Sequence, residues 1–291
     1  MRPDQYKDGD AAGSTKPLRV GFILARSFTL SAFAMFVDTL RLASDQKDRS
    51  GRVLADWHVL GSTRHLLTSS CGLQVAPTSD FVDPARFDYI VVVGGLLSVS
   101  QPVDNETIGY LKQAATKGVP LLGVCTGSFI LAEAGLMENH DSCISWLHYQ
   151  EFRERFPDLK ARSDRLFHLD RQRGSCAGCS SAADLAIVLV LRHIGRDAAR
   201  NALEVLQIDR ARSPTDCQAR RPIELTAKDP RIISVLITME QHLEGDVPLD
   251  RLARSVGLSR RQLERLFEDE TSFSPGAAYR KIRLELARVL L

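Results

Sequence analysis

Gly118-Val119-Pro120-Leu121-Leu122-Gly123-Val124-Cys125-Thr126-Gly127-Ser128-Phe129-Ile130-Leu131-Ala132 is the stretch whose reading decides the fold. Val119 to Val124 is a short apolar run of the length and composition of a buried strand. Phe129 to Ala132, with Ala134 and Leu136 beyond, suits an apolar helix. Between them stands Gly123-x-Cys125-x-Gly127, the cysteine form of a nucleophile elbow, where a sharp turn needs small flanking residues and lifts one side chain above a sheet. At such a turn Cys125 faces the N-terminus of the following helix, whose free N–H groups favour a thiolate or a bound anion. The residues therefore predict a pocket here, and leave open whether it reacts or only binds.

Outward from the elbow, Leu18 to Leu24 predicts a first strand, Phe28 to Ala43 a helix, and Trp57 to Leu60 a second strand. Thr68 to Val75 has the look of a hairpin, Phe81 to Pro84 of a turn. Tyr89 to Val93 is a continuous apolar run ending in Gly94-Gly95, and Ile108 to Thr116 is helical. Alternating strands and helices predict an α/β fold, a mostly parallel sheet with helices on both faces. Ligands of such sheets sit at the carboxyl ends of strands, so Gly94, Gly95, Leu96, Cys125 and Thr126 are the candidate binding residues. A third strand end is expected near Arg173 to Gly178, before a helix Ala182 to Ile194, and the three loops could line one cleft.

From Gln207 to Lys228 the character changes: Pro214, Pro222 and four arginines replace the apolar periodicity, as in a linker. After a helix expected at Ile232 to Leu243, Ala253, Gly257 and Leu263 stand four and six apart. They read as the small residue where two helices touch, a turn glycine, and the apolar anchor of a second helix. Ser259 is a good N-cap for that helix, with Leu263, Leu266 and Phe267 inward and Arg260, Arg261, Gln262, Glu264 and Arg265 outward. That is a helix-turn-helix with the polar face of a major-groove reader, Ser259, Arg260, Arg261, Gln262, Glu264 and Arg265 being the candidate DNA contacts.

The whole composition is ordinary for a soluble protein. A formal charge of +2 does not announce a nucleic-acid binder, and 229–291 balances ten Lys/Arg against ten Asp/Glu. No apolar run approaches the roughly 18 residues of a membrane span, and the polar start, Met1 to Lys16, lacks a signal-peptide core and reads as a disordered tail. Six irregularly spaced cysteines do not form a secreted disulfide framework, so a cytoplasmic location with reduced thiols is expected. Cys176-x-x-Cys179 has no second pair, and no metal or cofactor is expected.

With both halves in view, the chain resembles transcriptional regulators of the AraC/XylS type. More narrowly, it is similar to the GlxA-like branch, whose sensor has the DJ-1/PfpI, class I glutamine amidotransferase-like fold. The resemblance runs from Leu18 onward. Ser272 to Arg280 corresponds to the family's segment after the first recognition helix, and Glu285 to Leu291 to the end of its linker helix. It implies domains at 17–206 (sensor) and 229–291 (DNA-binding), joined by the linker 207–228. A second helix-turn-helix would follow Leu291, so the resemblance implies the first subdomain and linker helix only. It further implies a promoter-DNA partner, a homodimer, RNA polymerase contact if the regulator activates, and no membrane partner. The implied effector is a small nitrogenous metabolite such as an amino acid, betaine or carnitine-like compound, with Trp146 and His148 as further candidate ligand residues. PfpI-type hydrolases place a histidine after the elbow cysteine and a glutamate after the first strand. Here Thr126 follows Cys125, and Ala25 to Phe36 holds no acid, so a catalytic role is not expected. A cysteine hydrolase or amidase with an appended helical module is the competing reading.

Overall fold

The computed structural model describes residues 16–45, 49–62, 65–219, 225, 227–242 and 247–290; residues 1–15 of the expected tail, 220–224 and 226 of the expected linker, Leu243 and Leu291 lie outside these. The chain divides into two compact units, Met1–Arg162 with Leu166–Pro214, and Ser163–Arg165 with Thr215–Leu291.

The first unit is built on a six-stranded sheet. Its strands are β1 (Leu18–Leu24), β2 (Ala55–Val59), β5 (Tyr89–Val93), β6 (Leu121–Val124), β9 (Phe167–Leu169) and β10 (Arg173–Cys176), in the order β2-β1-β5-β6-β10-β9. All pairings are parallel except β10 with β9. Side chains alternate across the pleat, so one strand feeds two cores. Tyr89, Val91 and Val93 join Phe22, Phe36, Leu40 and Leu185 on one face; Ile90 and Val92 join Leu111, Phe129, Ile130 and Phe152 on the other. The first face is covered by α1 (Leu30–Ser44), α5 (Ser180–His193) and α6 (Arg196–Val205). The second carries α2 (Asn105–Thr116), α3 (Gly127–Glu133) and α4 (Tyr149–Arg155). Burial on both faces is why these strands read as unbroken apolar runs rather than alternating ones. The expected hairpin is β3 (Leu67–Thr68) against β4 (Gln74–Val75), antiparallel. A further small parallel pair, β7 (Ser142–Cys143) with β8 (Ala161–Arg162), follows α3. Trp146 lies in a 3-10 turn, Trp146–His148, started by the Ser145 side chain.

The segment Gln207–Pro214 falls within the first unit. Arg212 explains it. Its backbone N–H and guanidinium donate to Asp184 of α5 at 2.8, 3.0 and 2.6 Å, and Asp184 is only 3% exposed.

The second unit is helical: α7 (Pro230–Gln241), α8 (Leu249–Ser255), α9 (Arg260–Thr271) and α10 (Pro275–Leu290). Its core joins Ile232, Leu236 and Met239 of α7, Leu252 and Ala253 of α8, Leu263 and Phe267 of α9, and Ala278 and Ile282 of α10. At about 1.5–3 kcal/mol per fully buried large apolar side chain, these contacts hold helices too short to persist alone.

Candidate functional site

The elbow is present. β6 ends at Val124, Cys125 takes the left-handed φ of 57°, and α3 begins at Gly127. A non-glycine residue in this region is strained and persists only where its surroundings hold it. Here they do. Gly94 N–H donates to the Val124 carbonyl at 3.0 Å, Thr29 N–H to the Gly94 carbonyl at 2.9 Å, and Leu96 N–H to the Ser27 carbonyl at 3.2 Å. The Thr126 hydroxyl donates to the Gly95 carbonyl at 2.8 Å. The Gly94-Gly95 pair is what lets these backbones close: a Cβ on Gly95 would lie 1.7 Å from the Ser27 carbonyl oxygen, and one on Gly94 2.3 Å from Thr126. Gly178, at φ +103°, brings the third loop against Cys125; a Cβ there would lie 2.9 Å from Cys125 Cβ and 3.2 Å from its Sγ. The three loops expected to meet therefore do meet.

Cys125 Sγ lies 3.4 Å from Thr29 Oγ1. Among the described residues no imidazole or carboxylate shares a hydrogen bond with it. Burial pushes the thiol up, outweighing the Thr29 hydroxyl and the Thr126 N–H, which both favour the thiolate. The seven-residue α3 does not reverse this, so the thiolate expected from a helix N-terminus is not favoured here. Cys179, also at positive φ, is exposed, and the Ser31 hydroxyl donates to it at 3.6 Å.

Gly95, Leu96 and Thr126 line a small cavity of about 30 Å³, room for a water molecule, together with Phe129 and the Glu133–Arg155 ion pair. Gly94, Cys125, Trp146 and His148 are not on its wall. His148 reaches it indirectly, its ring packed edge-on to Phe129 at 6.4 Å; burial lowers the His148 pKa and keeps the ring neutral. Trp146 is 39% exposed. Arg155, stacked over Phe129 and Phe156, was invisible in the sequence because nothing local marks it. Thr29 had a faint signal as the N-cap residue of α1.

In the second unit, α8 ends through Gly257 at φ +70° and α9 starts at a full capping box. Gln262 N–H donates to Ser259 Oγ at 3.3 Å, and Ser259 N–H donates back to Gln262 Oε1 at 2.9 Å. The Gln262 carbonyl is committed to the cap, and Arg260 Nε donates to Glu264 at 3.0 Å. Arg261 and Arg265 are exposed, and among the described residues neither guanidinium has an ion-pair partner. A capped, rigid helix presenting two free guanidinium groups, anchored by Leu263 and Phe267, is the form of a recognition helix.

An elbow-bearing α/β unit followed by a helix-turn-helix defines the class: a transcription regulator with a DJ-1/PfpI-type domain. Residues 22–155 match the DJ-1/PfpI family. The chain is 35% identical to the HTH-type transcriptional regulator GbdR of Pseudomonas aeruginosa, over 98% of this chain and 77% of that protein. It is 32% identical to the HTH-type transcriptional regulator GlxA of Rhizobium meliloti, over 94% and 83%. The crystal structure of an AraC family transcriptional regulator from Pseudomonas putida superposes with TM-score 0.55 and 27% identity, covering 65% of this chain and all of that one. The chain belongs to the AraC/XylS-type, GlxA-like transcriptional regulators with a DJ-1/PfpI domain. Among the described residues no helix is long and apolar enough to cross a membrane.

Proposed function

We propose that this regulator binds a specific promoter sequence through α9, acts as an activator in concert with RNA polymerase, and works as a homodimer controlled by a small nitrogenous metabolite bound beside Cys125. The observation that carries the reading is the capped α9 with Arg261 and Arg265 free on its exposed face. Ser259, Arg260, Arg261, Gln262, Glu264 and Arg265 remain the DNA-facing residues, with Arg261 reading bases near the helix N-terminus and Arg265 meeting base or phosphate. On the other unit, Gly94, Gly95, Leu96, Cys125, Thr126, Trp146 and His148 form the proposed effector surface. Amino acids, betaines and carnitine-like compounds are the classes to test. A hydrolase reading is not favoured, because Cys125 is hydrogen-bonded to a threonine and its thiol is pushed up by burial.

The test is fluorescence anisotropy of the full chain on the DNA upstream of its own gene and on a scrambled duplex. Arg261→Ala should lower affinity for the specific duplex by about 10- to 100-fold, the worth of one bidentate base contact. Equal binding to both duplexes, or an Arg261→Ala variant indistinguishable from the parent, sinks the DNA assignment. For the effector, a thermal-shift panel of the named classes is read together with product analysis. A ligand at about 100 times its Kd adds roughly 2.7 kcal/mol to the unit that binds it. Turnover of any panel member would make Cys125 a nucleophile after all.

A further inference from the structure

Two cysteines from distant parts of the chain meet beside the elbow, and the proposed function uses only one of them. Cys125 ends the elbow with its sulfur 3.4 Å from Thr29 Oγ1. Cys179 is the N-cap of α5, and the Ser31 hydroxyl donates to its sulfur at 3.6 Å. Thr29 is the N-cap of α1 and Ser31 lies in its first turn, so both sulfurs rest on the start of the same helix. Gly178 supplies the second link, because a Cβ there would lie 3.0 Å from Cys125 Cα. Cys179 is the next residue, about 3.8 Å further along from Cα to Cα. Disulfides span Cα separations of about 4.4–6.8 Å, so the pair is spaced on that scale. The two thiols also feel each other: burial raises the Cys125 thiol, and charge on Cys179 adds to the rise.

Cys179 is not there to pack or to cap. At φ 50° and ψ −123° its backbone lies in a region that favours glycine, and a larger residue is strained there. Its thiol makes no capping bond to α5 and is exposed. Cys176, the other cysteine nearby in sequence, is fully buried in the core, where burial pushes its thiol up to about 12. Cys125 stands between these extremes, half-buried at the cleft.

We propose that Cys125 and Cys179 close a reversible disulfide when the protein meets hydrogen peroxide. The exposed Cys179 gives up its proton and its sulfur attacks one peroxide oxygen. An S–O bond forms, the O–O bond breaks, and the departing hydroxide takes the thiol proton to leave as water, so Cys179 becomes a sulfenic acid. Cys125 then loses its proton and attacks the Cys179 sulfur. The S–S bond forms, the S–O bond breaks, and the hydroxide takes that proton to give a second water. The two sulfurs together lose two electrons, and one peroxide is reduced to two waters. A dithiol reverses the bond by exchange and is itself oxidised to a disulfide. The pair does not depend on which effector binds beside Cys125.

The test treats the reduced full chain with hydrogen peroxide, blocks the remaining thiols with N-ethylmaleimide, and maps linked peptides by non-reducing digestion and fragment-ion mass spectrometry. A Cys125–Cys179 link that dithiothreitol removes is expected, and Cys176→Ser should keep it. In Cys179→Ser the oxidation of Cys125 should slow by about tenfold or more, because the half-buried thiol has no sulfenic acid to attack. Cys179 is exposed, so the unfolding midpoint of that variant should match the parent's, which separates lost chemistry from lost folding. In Cys125→Ser the link is lost, and dimedone should trap the sulfenic acid at Cys179. A link from Cys179 to Cys176 or to a second copy of the chain would overturn the proposal. So would unchanged oxidation of Cys125 in Cys179→Ser, dimedone labelling absent from Cys179, or no link at all.

Discussion

Arg212→Ala tests the packing of the segment that the sequence reads as linker. In the folded chain the Arg212 guanidinium donates twice to Asp184 Oδ2, at 3.0 and 2.6 Å, and once to the Ser180 hydroxyl at 2.9 Å. The side chain of Asp184 is 3% exposed and that of Arg212 30%, so Asp184 is the partner that cannot turn to water. Removing one member of a buried pair costs about 3–5 kcal/mol because the other charge is stranded. The backbone N–H of residue 212 still reaches Asp184 Oδ1 in the variant, so the lower end, about 3 kcal/mol, is expected. For a unit of this size each kcal/mol moves Tm by roughly 2–4 °C, giving a fall of about 6–12 °C. Asp184→Asn removes the buried charge along with its partner's need for it, and should cost less, about 1–2 kcal/mol. The double variant strands no charge and should cost less than Arg212→Ala alone, about 1–2 kcal/mol, which is a coupling of about 3 kcal/mol. The assay is intrinsic fluorescence through urea and heat unfolding, because both tryptophans, Trp57 and Trp146, lie in the first unit and report on it alone. A cost below about 0.5 kcal/mol for Arg212→Ala, or strictly additive costs in the cycle, would refute the reasoning and return Gln207–Pro214 to the status of a tether.

Two further outcomes are expected. Ser259→Ala removes the donor-satisfying oxygen of the α9 capping box and should destabilise the second unit by about 1 kcal/mol, with faster amide exchange in the first turn of α9; unchanged exchange would show that the cap does not hold the helix. Alkylation of Cys125 by iodoacetamide, followed by peptide mass spectrometry, should be slow at neutral pH and keep climbing above the range where an ordinary thiol levels off. The reason is that burial raises its pKa and only the thiolate reacts, so the reactive fraction appears later on the alkaline side; a plateau already reached near neutrality would mean an activated cysteine.

Much of the sensor unit was legible because its strands are buried on both faces. Tyr89 to Val93, closed by Gly94, is an apolar run and a strand of the sheet, and within the run Val119 to Val124, closed by the elbow cysteine, Leu121 to Val124 is another. The helix-turn-helix was legible for a different reason: Ala253, Gly257, Ser259 and Leu263 carry local roles set by spacing alone. The candidate pocket was less legible. Cys125 and Gly95 were found from motifs and Gly178 from an expected strand end, whereas Thr29 carried only a faint capping signal and Arg155 comes to the site with no mark of its own.

By itself the sequence determined the order of elements, the elbow, and the two-part build, since periodicity, turn glycines and capping residues act over a few positions along the chain. Tertiary structure decided how the polar groups spend their hydrogen bonds. It committed Gln262 to a cap and Arg260 to Glu264, left Arg261 and Arg265 without an ion-pair partner among the described residues, drew Arg212 onto Asp184, and buried the Tyr110 hydroxyl with no hydrogen-bond partner among those residues. Burial and hydrogen-bond partners depend on which distant surfaces come together, and a charged or hydroxyl side chain looks the same in sequence whether it ends in water or in a partner's reach.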